Sequence, residues 1–306
     1  MNQLKKLKSN NFISSADISY EETLYLLNLA SSFKNNKLNI EFKNKVLGLI
    51  FDKASTRTRV SFQVAMSRLG GNAIDLNPQT TQIGRGEPIK DTARVLSRYC
   101  DILAIRTYKN DDLLEYAKWS SKPVINALTD LEHPCQALAD YLTIKEEFGN
   151  LDNLVLTFIG DGNNVAHSLI LSGIILGLKI RIICPKGFEP NTTIVNKAFE
   201  LKKYKDQLTI TDNIKSVSGS DVIYTDVWAS MGQEKEKDSK EKIFKNFSIT
   251  NKTLNLAKKE AIVLHCLPAY RGKEITDEVF ECKQSRIFNQ AENRLHAQQA
   301  LLSSLL

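Results

Sequence analysis

Long apolar runs are missing from this 306-residue chain. Spanning a bilayer takes about 20 consecutive apolar residues, whereas the longest candidate, Leu169 to Leu178, stops short and is broken by Ser172, Gly173 and Gly177. That excludes a transmembrane helix, and no membrane partner is expected. Cysteine is scarce as well: Cys100, Cys135, Cys184, Cys266 and Cys282 are odd in number, far apart and never spaced as Cys-x-x-Cys. Such usage excludes a disulfide scaffold, argues against a structural metal site and points to a reducing compartment. The segment from Met1 to Phe12 carries Lys5, Lys6 and Lys8 but lacks the apolar core of a secretory signal, and it is short and arginine-free for a transit peptide. The expected location is therefore cytoplasmic. Forty-one Lys and Arg against 35 Asp and Glu leave a charge of +6, yet no basic segment is interleaved with stacking aromatics, so no nucleic-acid partner is expected. Internal repeats and low-complexity tracts are also lacking.

What remains is the composition of an ordinary globule, 42% hydrophobic and 25% charged, about twice the usual ~150-residue domain length. Short aliphatic and β-branched runs alternate with helix-length amphipathic stretches, which predicts an α/β protein with parallel sheets covered on both faces. The first strands are expected at Val46 to Phe51, Ala73 to Leu76, Ile102 to Thr107 and Val124 to Ala127. A second set follows at Leu154 to Ile159, Ile180 to Cys184, Leu208 to Thr211, Val222 to Thr225 and Ile262 to Leu264. A helix from about Pro134 to Phe148, closed by Gly149-Asn150, separates the two sets. The expected domains are thus 1–148 and 149–290, with a terminal helix over 291–306 packing back on the first. Glu234 to Lys242 alternates in charge without an apolar face and reads as a solvated surface segment.

The most informative stretch is Ser55-Thr56-Arg57-Thr58-Arg59, between the first strand and a helix whose buried face is Phe62, Ala65, Met66 and Leu69. A helix start at the carboxyl end of a parallel strand offers free backbone N–H groups and the positive end of the helix dipole. Three hydroxyls and two guanidiniums added there suit phosphate, because the planar arginine fork holds two oxygens at once. Arg106 closes the third strand and His133 follows the fourth, so three strand ends deliver Arg57, Arg106 and His133 towards one edge, as a shared anion site requires.

Those segments, with His133-Pro134-Cys135-Gln136, His265-Cys266-Leu267-Pro268, Asp226-Val227-Trp228-Ala229-Ser230-Met231-Gly232 and Ala291-Glu292-Asn293-Arg294, resemble the signature segments of the ornithine carbamoyltransferase family, within the wider aspartate/ornithine superfamily. The resemblance covers essentially the whole chain in family order. It implies a two-domain α/β fold, each domain a parallel sheet flanked by helices, linked by inter-domain helices. The first domain would bind carbamoyl phosphate and the second L-ornithine, giving citrulline and phosphate with no metal and no organic cofactor. It also implies a homotrimer or an assembly of trimers. By motif position Ser55, Thr56, Arg57 and Thr58 would hold the phosphate, joined by Gln82 from a neighbouring subunit. Thr58, Arg106, His133 and Gln136 would surround the carbamoyl group. Asn164, Asp226, Ser230 and Met231 would hold ornithine, and Cys266, the Leu267 carbonyl and Arg294 would meet at the reacting centre.

The aspartate enzymes carry an active-site lysine on the neighbour-supplied loop, where this chain reads Thr81-Gln82-Ile83-Gly84-Arg85-Gly86-Glu87-Pro88. That departure weakens aspartate as acceptor and leaves Arg85 without a role. Putrescine and N-acetylornithine stay open as acceptors. A dehydrogenase is the alternative of a different class, since a strand leads into Gly160-Asp161-Gly162-Asn163-Asn164; the Gly-x-Gly-x-x-Gly spacing is incomplete there.

Overall fold

The computed structural model of the chain describes residues 4–77, 81–229 and 237–306. Its strands are β1 (Val46–Phe51), β2 (Asn72–Leu76), β3 (Ile102–Arg106), β4 (Val124–Leu128), β5 (Val155–Ile159), β6 (Lys179–Ile183), β7 (Leu208–Thr211), β8 (Val222–Thr225) and β9 (Ile262–His265). They form two parallel sheets, β2-β1-β3-β4 and β7-β6-β5-β8-β9. The chain divides into two compact units, one running up to Leu142 and including Glu292–Leu306, the other Thr143–Ala291. The division falls inside α5 (Pro134–Phe148) and α11 (Ile287–Leu305), not at the Gly149-Asn150 turn.

In the first unit the central strands β1 and β3 are buried along almost their whole length, which is why they read as continuous Leu/Ile runs. The helices are α1 (Tyr20–Lys34), α2 (Arg57–Arg68), α3 (Ile89–Tyr99) and α4 (Asn110–Trp119), together with the first part of α5. Ser19 and Glu22 close a reciprocal capping box at the start of α1. The edge of β4 is covered by the N-terminal segment: Phe12 N–H donates to Val124 O at 2.9 Å, and Asn126 N–H to Phe12 O at 2.8 Å. Phe62, Ala65, Met66 and Leu69 of the α2 segment are all fully buried. The terminal helix starts at Ile287, before the expected Ala291. Its 292–305 portion belongs to this unit, and Leu7 N–H bonds to Ser304 O at 3.2 Å.

The second unit carries α6 (Asn164–Leu176), α7 (Thr192–Leu201), α8 (Lys237–Phe244), α9 (Asn251–Leu254) and α10 (Asp277–Phe280). Its core joins Ile159, Ile223 and Val263 of the sheet to Val279 and Phe280 of α10. Phe158 is fully buried and stacks on Tyr224 at 5.7 Å between ring centroids. Among the described residues no helix is long and apolar enough to cross a membrane. Truncating Phe158 to alanine removes a large buried side chain with nothing to refill the space, so Phe158→Ala should destabilise this unit by about 3–5 kcal/mol. Chemical denaturation followed by circular dichroism measures it.

Candidate active site

In each sheet the strand order reverses once, between β1 and β3 in the first and between β5 and β8 in the second. Open parallel sheets bind ligands in the crevice at the carboxyl ends of such a pair, because the connections there leave to opposite faces. The motif residues gather at these two points, one set in each unit.

In the first set, β1 leads through Ser55 and Thr56 into α2, which begins at Arg57. Thr56 occupies the cap position but makes no side-chain cap bond, so it leaves the amides of the first turn to another acceptor. Ser55 and Arg57 are half-buried, Thr56 is exposed and Thr58 is buried. Arg59 is tied to Asp75 and lies over the Phe51 ring at 5.2 Å. Arg57 has no side-chain partner among the described residues. Arg106 is buried at the end of β3, and its Nε has no hydrogen-bond partner there either. His133 precedes α5 and Gln136 lies in its first turn, both buried. Arg294 arrives on α11, where Nη2 donates to Thr58 Oγ1 at 2.8 Å and Nη1 donates to Gln136 Oε1.

Three guanidiniums in one desolvated place repel each other. Burial and the neighbouring Arg294, Arg57 and Arg59 bring Arg106 down to about 10. The same causes, burial first and then Arg294, Arg106 and Arg57, hold the His133 imidazole well below its usual value. His133 is therefore neutral near pH 7, able to offer one N–H without adding charge. Cys135, beside it in sequence, is buried with its thiol pushed up to about 12 by burial and its Sγ on Asn126 O at 3.3 Å, so it packs and does not react. Gln82 is exposed in a short 3-10 helix, Gln82–Arg85, and among the described residues no hydrogen bond or ion pair links it to this set.

In the second set, Asn163 does two jobs. Its Oδ1 accepts from the Val165 and Ala166 N–H groups and caps α6, while its Nδ2 donates to Asp226 Oδ2 at 2.8 Å. Asp226, just past β8 and buried, also accepts from Cys266 Sγ at 3.0 Å. Asn164 is the first residue of α6 and half-buried. Leu267 has φ of 61°, a left-handed conformation rare for leucine, and its N–H donates to His265 Nδ1 at 2.9 Å. His265 Nε2 then carries the proton and donates to buried Glu274 Oε1 at 3.0 Å. Asp226, His265 and Cys266 present ligand-type atoms within 4.8 Å of one another. Both nitrogens of His265 are already engaged, however, so the trio is a hydrogen-bonded cluster and a poor fit to a metal ion. Ser230 and Met231 lie outside the described residues.

One sequence expectation is corrected here. Within Glu234 to Lys242, Lys240 is buried, not solvated: α8 turns it inward one helical turn before fully buried Phe244, and its Nζ pairs with Asp161 Oδ2 at 2.6 Å. Residues 234–236 lie outside the described residues. Sequence reasoning also passed over Asn163, although Asn before a helix is a standard cap signal. The dinucleotide alternative meets a filled turn. A Cβ on Gly162 would stand 2.4 Å from Pro190 N and 2.7 Å from Phe188 O, so the chain's own backbone occupies the approach, and Asn163 takes the helix amides a pyrophosphate would need.

Family models match nearly all of the chain: the carbamoyl-P binding domain of aspartate/ornithine carbamoyltransferase over residues 10–146, and its Asp/Orn binding domain over 152–305. An ornithine carbamoyltransferase of Prochlorococcus marinus subsp. pastoris is 67% identical over 98% of both chains. The chain belongs to the ornithine carbamoyltransferase family. Among solved members of that family, the Gloeobacter violaceus structure superposes with a TM-score of 0.89 at 46% identity, covering 98% of this chain and 99% of that one. The anabolic ornithine carbamoyltransferase of Campylobacter jejuni gives 0.91 at 42% identity, covering 96% and 98%. These ornithine carbamoyltransferase structures share the arrangement of two helix-flanked parallel sheets.

Neutral His133 has a consequence for stability. The unfolded chain protonates this residue near pH 6.5, whereas the folded protein resists it. Acidification below about 6.5 therefore loads protons onto the unfolded state only, and stability falls by up to about 1.4 kcal/mol per pH unit from this group. His133→Gln should show a smaller loss of melting temperature between pH 7.5 and 5.5 than the unmodified chain; an unchanged loss would contradict the neutral assignment. His296, whose value burial also lowers, adds to the slope that remains.

Proposed function

We propose that the chain transfers the carbamoyl group of carbamoyl phosphate to the δ-amine of L-ornithine, giving L-citrulline and phosphate. The observation that carries this reading is the charge of the first set: Arg57, Arg106 and Arg294 around a neutral His133, with no acidic side chain in direct contact with the guanidiniums of Arg57 and Arg106 among the described residues. A small doubly charged anion is its complement. In the proposed roles, Ser55, Thr56, Arg57 and Thr58 hold the phosphate with the first-turn amides of α2. Thr58, Arg106 and His133 donate to the carbonyl oxygen, where negative charge develops as the amine attacks. One such donor is worth roughly 10²–10³ in rate. Gln136 faces the carbamoyl amide.

On the amino acid side, Asp226 and Asn164 hold the zwitterion, with Ser230 and Met231 on the same stretch of chain. A carboxylate at this point attracts a second amine and repels a second carboxylate, which favours a diamino acid over aspartate. The attacking amine has to be neutral. Taking a lysine-like pKa of about 10.4, that costs about 4.6 kcal/mol at pH 7. Cys266 and the Leu267 carbonyl accept from it, and its removal from water on binding disfavours the protonated form. The N–C bond forms, a tetrahedral intermediate collapses, the C–O bond to phosphate breaks, and the phosphate leaves with the amine's proton. No covalent enzyme intermediate is needed because phosphate is already a good leaving group.

Assembly into a homotrimer, with Gln82 reaching a neighbour's site, belongs to the same reading; exposed Val60 and Val64 on α2 and Ile74 on β2 supply apolar surface for it. So does a cytoplasmic location, in keeping with five free cysteines. Supplying carbamoyl phosphate with ornithine, putrescine, N-acetylornithine or aspartate in parallel tests the acceptor. Citrulline should form at least tenfold faster than any other product, and a faster alternative acceptor would overturn the assignment.

A further inference from the structure

The first set contains an acidic group that none of these roles uses. Asp140 stands one turn after Gln136 on α5 and is fully buried. Its Oδ1 accepts from Gln136 Nε2 at 2.7 Å. The oxygen end of the same amide accepts from Arg294, which comes from a point 158 residues further along the chain, and Arg294 in turn donates to Thr58 Oγ1 at 2.8 Å. A Gln–Asp pair at this spacing on an exposed helix face would be a minor helix stabiliser. Burying a carboxylate for that purpose alone is costly.

The chemistry of the amide decides what the pair does here. A primary amide donates only from nitrogen and accepts only at oxygen. With its NH2 on Asp140, Gln136 turns its oxygen to Arg294, and the second lone pair of that oxygen stays available to the carbamoyl NH2. Arg294 is a pure donor, so Thr58 Oγ1 serves as its acceptor, and the Thr58 hydroxyl proton is left to point elsewhere. Each bond in the row sets the direction of the next, and the row ends on the Thr58 hydroxyl, which accepts from Arg294 and keeps its own proton to donate.

We infer that Asp140 is a positioning residue for carbamoyl transfer: through the Gln136 amide it fixes the Arg294 guanidinium on Thr58 and thereby sets the Thr58 hydroxyl as a donor. The inference rests on the carbamoyl-transfer reading above. If Asp140 is lost, the Gln136 amide is free to turn, an N–H then faces an N–H of Arg294, and the guanidinium leaves Thr58.

A double-mutant cycle tests this with citrulline formation as the readout. Asp140→Leu should lower kcat by about ten- to hundredfold, in the range of coupled buried networks, with the KM for ornithine within about twofold. In a Gln136→Leu background the same substitution should cost less than about twofold, because the amide it acts through is gone. Asp140→Asn, which keeps an acceptor for Gln136, should recover most of the activity. Losses that multiply in the double variant, or an Asp140→Leu enzyme as fast as the unmodified one, would overturn the inference. Should Asp140→Leu fail to fold, Asp140→Ser, too short to reach Gln136, takes its place in the cycle. An unmodified protein that makes no citrulline would refute the carbamoyl-transfer reading instead. The cycle is then read on the affinity for inorganic phosphate by calorimetry, where non-additive losses support the relay and additive losses overturn it.

Discussion

The guanidinium of Arg294 is the tie on which the first half of the site depends. It joins α11, at the end of the chain, to Thr58 at the start of α2 and to Gln136 at the start of α5, with all three side chains buried. Without it the hydroxyl and the amide would be two unrelated polar groups needing other partners, and a buried polar group without one costs about 1–3 kcal/mol. With it they become a directed row. The repulsion it adds to Arg106 and Arg57 is the other side of the arrangement, since a place that disfavours its own cations favours an anion brought from solution.

The second unit solves a different problem at the equivalent position of its sheet. The turn after β5 cannot take a bulky anion, because Gly162 is packed against residues 188–190 and Asn163 has already capped α6. The free end of that cap amide is spent on Asp226, which holds a carboxylate rigidly beside Cys266. Two sheets with the same switch-point topology thus carry opposite chemistry: one helix start is left open for an anion, the other is closed and offers a carboxylate for a cation.

The fold was largely legible in the sequence for a physical reason. Strands buried on both faces must be aliphatic runs, and the stretches around β1, β3, β5 and β8 have no other reading at that length. The start and end of α5 were marked by Pro134 and by Gly149, whose φ of 78° suits glycine. The candidate site was legible as residue types and much less as partners. Nothing local links Thr58 to Arg294 across 236 residues, or Asn163 to Asp226 across 63. Lys240 was misread because charge alternation describes composition, whereas burial depends on which way the short helix turns; its pairing with Asp161 spans 79 residues. Asp140 left no signal beyond its spacing from Gln136.

The open helix start beside three guanidiniums is where carbamoyl phosphate is proposed to bind. A crystal structure of the protein with carbamoyl phosphate bound tests it most directly. The phosphate oxygens should lie on the amides of the Ser55–Thr58 turn and on Arg57, with the carbonyl oxygen facing Thr58, Arg106 and His133. Carbamoyl phosphate found away from the carboxyl ends of β1 and β3, or seated on the turn after β5, would contradict it.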